Sequence, residues 1–229
     1  MQSGVCQLKL VNKSWFEASG IRSAQQRREI ITGMTAGKDF LTYGKEYYDG
    51  NPGLGYGGYK CDGRFEKSVE RIIKAIGLAG HSTVVELGCA KGCILLEFYK
   101  AGITDIKGFD ISEYAITKAP NEIREKLHIS SISQLMPIQD SSIDFLFSKD
   151  TLPHLNDFEI EQTLLEINRV VKNELSTCYL ELAVASSAEV TEQTKAWDPT
   201  HITLKPIDWW KCKLSKIRCN SYLHFKELM

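Results

Sequence analysis

The fold of this chain is decided by residues 83–92, TVVELGCAKG. Residues 83–87 are β-branched or apolar apart from one acid, which is typical of a buried strand. Residues 88–92 then predict a tight turn, because two glycines bracket it, and residues 93–100 predict a helix. A strand, a turn and a helix in this order begin a βαβ unit, so the stretch indicates a parallel sheet.

The same alternation continues on both sides of this stretch. Apolar runs predict further strands at Ile106–Asp110, His128–Ile132, Ile143–Phe147, Cys178–Val184 and Asn220–Phe225. Helical spacing of apolar residues predicts helices at Phe65–Ile76, from Ser112 onward, at Ile160–Val171 and at Trp209–Lys216. The sequence therefore predicts an α/β fold with a mostly parallel central sheet flanked by helices.

The first 64 residues differ in character from the rest. Residues 50–59, GNPGLGYGGY, contain five glycines and a proline and predict a loop, while residues 22–33 predict a helix. We expect residues 1–64 to form an N-terminal extension and Gly/Tyr-rich lid, and residues 65–229 to form the α/β domain. The lid candidates are the tyrosines Tyr43, Tyr47, Tyr48, Tyr56 and Tyr59. Flat amphipathic rings on a glycine-rich segment suit closure over a sugar or a small polar ring; a disordered linker is the alternative.

Composition excludes several classes of protein. The formal net charge is -1 and the chain has no basic run, which argues against a protein that wraps nucleic acid. It contains neither an apolar run near the roughly 20 residues of a membrane span nor a secretory signal, so we expect a cytoplasmic protein without a membrane partner. Its seven cysteines are odd in number and scattered, which predicts reduced thiols. Cys89 and Cys93 lack nearby partners for a metal site, and we predict no metal.

Two features point to a nucleoside ligand. The glycine turn follows the first predicted strand, and Asp110 ends the second, so both lie at the edge of a parallel sheet where ligands bind. Asp110 can accept hydrogen bonds from both hydroxyls of a ribose. The alternative to a ligand site is that the glycines only allow close packing and that Asp110 only caps the next helix. The spacing G-x-x-x-G with Glu86 before it disfavours a dinucleotide, because a carboxylate repels a pyrophosphate but holds an ammonium group.

Four stretches resemble, in order, the motifs of the class I S-adenosylmethionine-dependent methyltransferases: residues 84–92, 108–116, 136–150 and 166–172. The resemblance covers roughly residues 65–185 and implies a Rossmann-like fold with S-adenosyl-L-methionine as the cofactor. It places Glu86 near the cofactor's amino group and Asp110 on its ribose. The turn residues Gly88, Cys89, Ala90 and Gly92 would line its methionine part, Ile111 would lie against adenine, and Ser148 or Lys149 would face the sulfonium.

The chain departs from the family's pattern at two places that matter. Ala90 stands where the family has its middle glycine, and its methyl group either fits or pushes on the cofactor. Ser131 and Ile132 stand where an acid often contacts the adenine amino group, and a serine hydroxyl is a poorer partner. Arg64 either pairs with the cofactor's carboxylate or is an exposed residue that caps the next helix, and Tyr59 is a further cofactor-binding candidate from the lid.

Two histidines follow predicted strands on the ligand-binding edge. We expect His201 to be the better general base, oriented by Asp198 or Asp150, and His154 to orient loops or to serve as a second catalytic candidate. Trp197, Trp209 and Trp210 form either an aromatic wall for an acceptor or part of the core.

The leading hypothesis is a methyltransferase acting on a small-molecule or sugar-like acceptor, at oxygen, with a His/Asp general base. The alternative is a catalytically inactive subunit of the same fold that binds the cofactor or only a protein partner. The sequence leaves a homodimer open.

Overall fold

The predicted alternation of strands and helices forms one seven-stranded sheet in the computed structural model, which describes residues 7–17, 37–50 and 59–227. The strands are β1 (Leu8–Leu10), β2 (Val84–Leu87), β3 (Ile106–Asp110), β4 (Leu127–Ile129), β5 (Phe145–Lys149), β6 (Thr177–Ala183) and β7 (Asn220–Lys226). The helices are α1 (Lys38–Leu41), α2 (Lys45–Asp49), α3 (Glu66–Ile76), α4 (Cys93–Lys100), α5 (Glu113–Thr117), α6 (Asp157–Val170), α7 (Ala188–Trp197) and α8 (Ile207–Leu214).

The order of the strands creates a binding crevice. It runs β1-β7-β6-β5-β2-β3-β4, and every neighbouring pair is parallel. From β2 the chain adds β3 and β4 on one side, and from β5 it adds β6 and β7 on the other. The direction therefore reverses between β2 and β5, and ligands of such sheets bind beyond the carboxyl ends of the strands at that point.

Helices cover both faces of the sheet. Successive strand residues point to opposite faces, so Val84 packs with α3 and α4 in one core cluster, while Val85 packs with α6 and α8 in another. All four residues of β2 are buried, because the strand is central and covered on both sides. The predicted α/β fold with a parallel sheet between helices is confirmed.

The helix boundaries follow the capping signals. Gly77 ends α3 in the left-handed conformation, with φ 73°, and Ser112 caps α5 by accepting a hydrogen bond from the Ala115 N–H at 3.0 Å. Both positions were predicted from the sequence.

Two strands are displaced from their predicted positions. β4 ends at Ile129 rather than Ile132, because the Ser131 hydroxyl accepts from the Ser133 N–H and turns the chain. β5 begins at Phe145 rather than Ile143. The N–H groups of Asp144 and Phe145 both donate to the Thr83 carbonyl, so the regular pairing with β2 starts at Phe145.

The prediction of reduced thiols is wrong for two cysteines. Cys61 and Cys93 form a disulfide, which ties the residues just before α3 to the first residue of α4. The same bond removes Cys93 from any metal site with Cys89, which stays a buried free thiol.

The N-terminal residues belong to the sheet. β1, which periodicity did not predict because it is short and exposed, pairs in parallel with β7 at the edge. Phe16 is fully buried, and Trp15 stacks on Tyr179 at 4.7 Å between ring centroids. The predicted helix over residues 22–33 and the loop residues 51–58, with Tyr56, lie outside the described residues. Within the described ranges, no helix combines the length and the apolar character that crossing a bilayer requires.

Candidate active site

A cavity lies beyond the carboxyl ends of β2, β3 and β5, at the reversal of strand order. The turn after β2 contributes Gly88 and Ala90, and β3 contributes Asp110. Gly88 has φ 76°, and a Cβ atom there would lie 1.9 Å from the Thr151 Oγ1, so only glycine fits. The backbone of the turn can therefore approach a ligand closely.

Asp110 forms hydrogen bonds that connect the turn after β2, in residues 84–92, with the start of α5, in residues 108–116. Its Oδ2 accepts the Ala90 N–H at 2.7 Å, and its Oδ1 accepts the Ser112 N–H at 2.8 Å. Burial raises the pKa of Asp110 despite these hydrogen bonds. Ala90 adopts φ 51°, so the alanine that replaces the family's glycine takes the left-handed conformation and donates to Asp110. The carboxylate is held in place on the cavity wall, as binding of a ribose requires.

Glu86 lies in β2, is 3% exposed and does not line the cavity. Its Oε2 has no hydrogen-bond partner within the described part of the chain. Burial, and then the charge of Asp110, raise its pKa well above the usual value, while Lys149 opposes the shift. An unpartnered buried carboxyl atom fits a cationic ligand group, which would satisfy both its charge and its hydrogen bond.

The predicted adenine side also lies on the cavity. Ile111, Ser131 and Ile132 line it, and Ile111 is 54% exposed, which leaves an apolar surface for a flat ring. Together with Asp110 and Glu86, these residues fit a nucleoside that carries an ammonium group.

Besides Glu86, four further predicted cofactor-binding residues do not line the cavity. Cys89 packs beneath the turn against Gly108, and Gly92 caps α4 with φ 70°. Ser148 is fully buried in β5 and donates to the Leu87 carbonyl at 3.0 Å. Arg64 is half-buried and pairs with Asp62 at 2.7 Å outside the cavity.

Tyrosines from the N-terminal segment form the opposite wall. Tyr43, Tyr47 and Tyr48 line the cavity beside Tyr59, and burial raises the pKa of Tyr43 to about 12. Tyr59 lies near Glu86, Asp110, Lys149 and Asp150, as its electrostatic interactions show.

Trp197 and Trp210 are buried outside the cavity, and Trp209 packs against the core. The aromatic wall is therefore made of tyrosines rather than of the tryptophans considered from the sequence.

One ion pair holds this tyrosine segment to the turn after β2. The Lys91 Nζ lies 2.6 Å from the Asp49 carboxylate and donates to the Tyr59 carbonyl at 3.1 Å. The Tyr114 hydroxyl donates to the same carboxylate at 2.8 Å. Burial raises the pKa of Asp49, but the hydrogen bonds from Lys91 and Tyr114 outweigh it and hold the pKa below the usual value.

His154 is the histidine on the cavity wall. It ends a short turn after β5, and its Nδ1 lies 3.0 Å from the Thr200 Oγ1. Burial and the neighbouring His201 lower the pKa of His154 to about 4. The imidazole is therefore neutral near neutral pH.

His201 lies behind His154, away from the cavity. The two rings stack at 4.3 Å between centroids, and the His201 side chain is 0% exposed. Its Nδ1 lies 3.1 Å from the Asp198 carbonyl oxygen and 3.9 Å from the Asp198 carboxylate. The predicted preference for His201 as the base is therefore reversed, because His154 separates it from the cavity.

A buried charge cluster borders the cavity at the ends of β5, β6 and β7. Asp150 lies 3.1 Å from Lys149 and 2.5 Å from Lys226, and both lysines also pair with Glu181. Burial raises the pKa of Asp150, but Lys226 and Lys149 hold it below its usual value. The Asp150 Oδ1 has no hydrogen-bond partner among the described residues, so it can accept a bond from a ligand.

Sequence reasoning missed several residues of this site. Thr151 and Thr200 had no motif of their own, although Thr200 stands next to a histidine in Asp198-Pro199-Thr200-His201. Lys226 ends the last strand, and no local signal connects it with Asp150, which lies 76 residues earlier in the sequence.

The chain matches a known family over its central part. The family model described as a methyltransferase domain matches residues 85–174, which contain three of the four motifs in full and nearly all of the first. An uncharacterised protein of Haemophilus influenzae is 23% identical over 154 residues, which cover 64% of this chain. The match spans 61% of the length of that relative.

Solved structures share the fold. A SAM-dependent methyltransferase from Archaeoglobus fulgidus has a TM-score of 0.52 and 21% identity over 65% of this chain and 66% of its own. A geranyl diphosphate C-methyltransferase from Streptomyces coelicolor, crystallised with Mg²⁺, a substrate analogue and S-adenosyl-L-homocysteine, has a TM-score of 0.56 and 11% identity. That alignment covers 68% of this chain and 58% of the other. At these identities the likeness concerns the fold.

Proposed function

We propose that this chain, whose residues 85–174 match a family model described as a methyltransferase domain, is a class I S-adenosylmethionine-dependent methyltransferase that methylates a hydroxyl of a small polar acceptor. The single observation that carries the proposal is that Asp110 and His154 line the same cavity. One side of that cavity suits a nucleoside, and the other presents a neutral imidazole.

The cofactor, when bound, supplies a methyl group on a cationic sulfur that needs no further activation. Asp110, on the cavity wall, would hold the ribose hydroxyls. Glu86, which is buried near Asp110 and outside the cavity lining, would meet the amino group with its unpartnered Oε2 once the cofactor is bound. Ile111 and Ile132 would enclose the adenine. The tyrosine segment excludes water from the cavity by covering it.

His154 is the general base in this proposal. Its Nε2 takes the proton of the acceptor hydroxyl while the acceptor oxygen forms a bond to the methyl carbon. The cofactor would supply the methyl group, and the electron pair of its carbon–sulfur bond would remain on sulfur. The products are a methyl ether, S-adenosyl-L-homocysteine and a protonated imidazole, which later returns its proton to water.

The acceptor side favours a sugar-like ring. Tyr43 and Tyr47 present flat amphipathic surfaces, and Asp150 presents an unpartnered carboxylate oxygen. Aromatic faces beside hydrogen-bond acceptors suit a ring with several hydroxyls, one bound by Asp150 and another facing His154. The cytoplasmic location and a homodimer stay predictions from the sequence.

Calorimetric titration tests the cofactor assignment. S-adenosylmethionine and S-adenosylhomocysteine should both bind the wild-type protein, and Asp110→Asn should weaken binding roughly 10- to 100-fold, as expected for loss of hydrogen bonds to a charged group. Asp105→Asn is the matched control, because Asp105 precedes the same strand at its opposite end. Absence of binding to the wild type would refute the proposal, and unchanged affinity of Asp110→Asn would remove the ribose assignment.

A metabolite extract incubated with methyl-labelled cofactor tests the reaction. We expect a labelled product whose formation His154→Gln lowers by about 100-fold or more, the usual contribution of a general base. Tight cofactor binding without transfer to any acceptor would instead support the alternative of an inactive subunit.

A further inference from the structure

The loop between α7 and α8 carries a group of polar side chains behind His154. Asp198 is 0% exposed and Thr200 is 6% exposed. The Thr200 Oγ1 lies between the Asp198 Oδ1, at 2.5 Å, and the His154 Nδ1, at 3.0 Å. A chain of hydrogen bonds therefore runs from a buried carboxylate through one hydroxyl to the imidazole on the cavity wall.

The single proton of the hydroxyl fixes the direction of this chain. The Asp198 carboxylate only accepts hydrogen bonds, so Thr200 donates its proton to Asp198. The Thr200 oxygen then has only lone pairs to offer His154, and the Nδ1 of His154 must carry the hydrogen. The other ring nitrogen, Nε2, keeps its lone pair.

The surrounding contacts hold these groups in place. Asp198 also accepts from the Tyr47 hydroxyl and from the Thr200 N–H, each at 3.0 Å. The two loops are joined because the N–H groups of Ile202 and Thr203 donate to the Pro153 carbonyl at 2.9 and 2.8 Å. The geometry is therefore fixed by both backbone and side chains.

We propose that Thr200 is a positioning residue, which uses Asp198 to hold His154 as the Nδ1–H tautomer and so leaves the Nε2 lone pair for the acceptor proton. The catalytic role of this tautomer rests on the proposed function. The tautomer itself depends only on the hydrogen bonds around His154 and not on cofactor or acceptor. Tyr47 connects the arrangement to the tyrosine segment, because its hydroxyl donates to the same carboxylate.

The same region contains a second arrangement with a different chemistry. Ligand atoms of His154, Asp198 and His201 lie within 4.8 Å of one another, close enough to meet one metal ion. However, the Nδ1 atoms of both histidines already lie at hydrogen-bond distance from oxygen atoms, Thr200 Oγ1 and the Asp198 carbonyl. These hydrogen bonds leave the Nε2 atoms as the ring nitrogens that could coordinate an ion.

Histidine side-chain ¹⁵N NMR of the full-length protein tests the inference directly. For His154, assigned with His154→Gln, we expect Nδ1 to show the shift of a protonated nitrogen and Nε2 that of an unprotonated one. Thr200→Val should abolish this pattern, whereas Thr200→Ser should retain it. Thr203→Val is the matched control, since its hydroxyl donates to the Leu155 carbonyl in the same loop without contacting His154.

Kinetics supply the second readout. Thr200→Val should lower kcat by about 10- to 100-fold with unchanged cofactor affinity, and Thr200→Ser should restore kcat to within about threefold. A wild-type Nε2–H tautomer would overturn the inference, even if Thr200→Val fails to fold. Stoichiometric zinc bound through the Nδ1 of His154 would also overturn it, because a coordinated nitrogen has no hydrogen to donate. Failure to bind cofactor would refute the proposed function alone.

Discussion

Glu86 is a buried acid whose protonation would change on binding of the proposed cofactor. Its pKa is raised because it is buried and lies near Asp110, so the folded protein binds a proton that an unfolded chain would have lost. Without a bound cation, the free energy of unfolding therefore falls as pH rises from the ordinary carboxyl pKa, about 4.3, through the raised pKa of Glu86. An ammonium group reverses this penalty, because it binds only the ionised carboxyl.

Cofactor binding should therefore release a proton from Glu86. We expect affinity to rise with pH until the raised pKa is passed, and Glu86→Gln to remove this dependence and to weaken binding roughly 10- to 100-fold. Titration calorimetry in two buffers with different ionisation enthalpies measures the proton directly. Glu97→Gln, a change to another buried acid that pairs with Lys100, is the control. Equal heats in both buffers for the wild-type protein would contradict the assignment.

At the scale of elements, the tyrosine segment is a separate layer over the sheet edge. Residues 37–50 contribute Tyr43, Tyr47 and Tyr48 to the cavity, and their attachment to the domain includes the ion pair between Asp49 and Lys91. The Cys61–Cys93 disulfide anchors the chain shortly after the same segment. Phe40, Tyr47 and Tyr48 of this segment also pack against Ala90 and Ala115, so loss of one ion pair should loosen the segment rather than release it.

Loss of the ion pair should loosen this layer selectively. Lys91→Met should speed amide hydrogen exchange of residues 37–50 by roughly fivefold, which corresponds to about 1 kcal/mol for a partly exposed pair. Mass spectrometry measures this exchange peptide by peptide. Lys100→Met, which removes the exposed lysine of the pair with Glu97 at the far end of α4, should leave the segment unchanged. If Lys91→Met also left it unchanged, the ion pair would not hold the lid.

For the whole molecule, the N-terminal residues are part of the domain that they precede. β1 extends the sheet beside β7, and Phe16 packs against Phe147 and Tyr179 at 4.7 and 5.6 Å between ring centroids. That residues 1–64 form a unit separate from the α/β domain stays a prediction. Residues 8–16 of that stretch contribute to the sheet and its core.

Phe16→Ala should accordingly destabilise the whole domain. We expect the free energy of unfolding to fall by about 3–5 kcal/mol, the usual cost of removing a buried aromatic ring. Urea denaturation measures the change. Phe158→Ala is the control, because Phe158 is 71% exposed and should change stability by less than about 0.5 kcal/mol. A separately folded extension would show the opposite result, with no effect of Phe16→Ala on the main transition.

The sequence by itself determined the order of β2 to β7 and of most helices between them, the glycine turn at Gly88 and the place of Asp110. These features depend on local physics: apolar periodicity, turn conformation and helix capping act over a few residues. For the same reason, the nucleoside side of the cavity could be predicted in outline.

Only the tertiary structure decided which histidine reaches the cavity and what orients it. Thr200 and His154 are 46 residues apart in sequence, and Asp150 and Lys226 are 76 apart. The Cys61–Cys93 disulfide and the burial of Ser148 likewise follow from packing. Such contacts depend on how loops far apart in sequence meet at one edge of the sheet, and no pattern within a few residues shows which loops will meet.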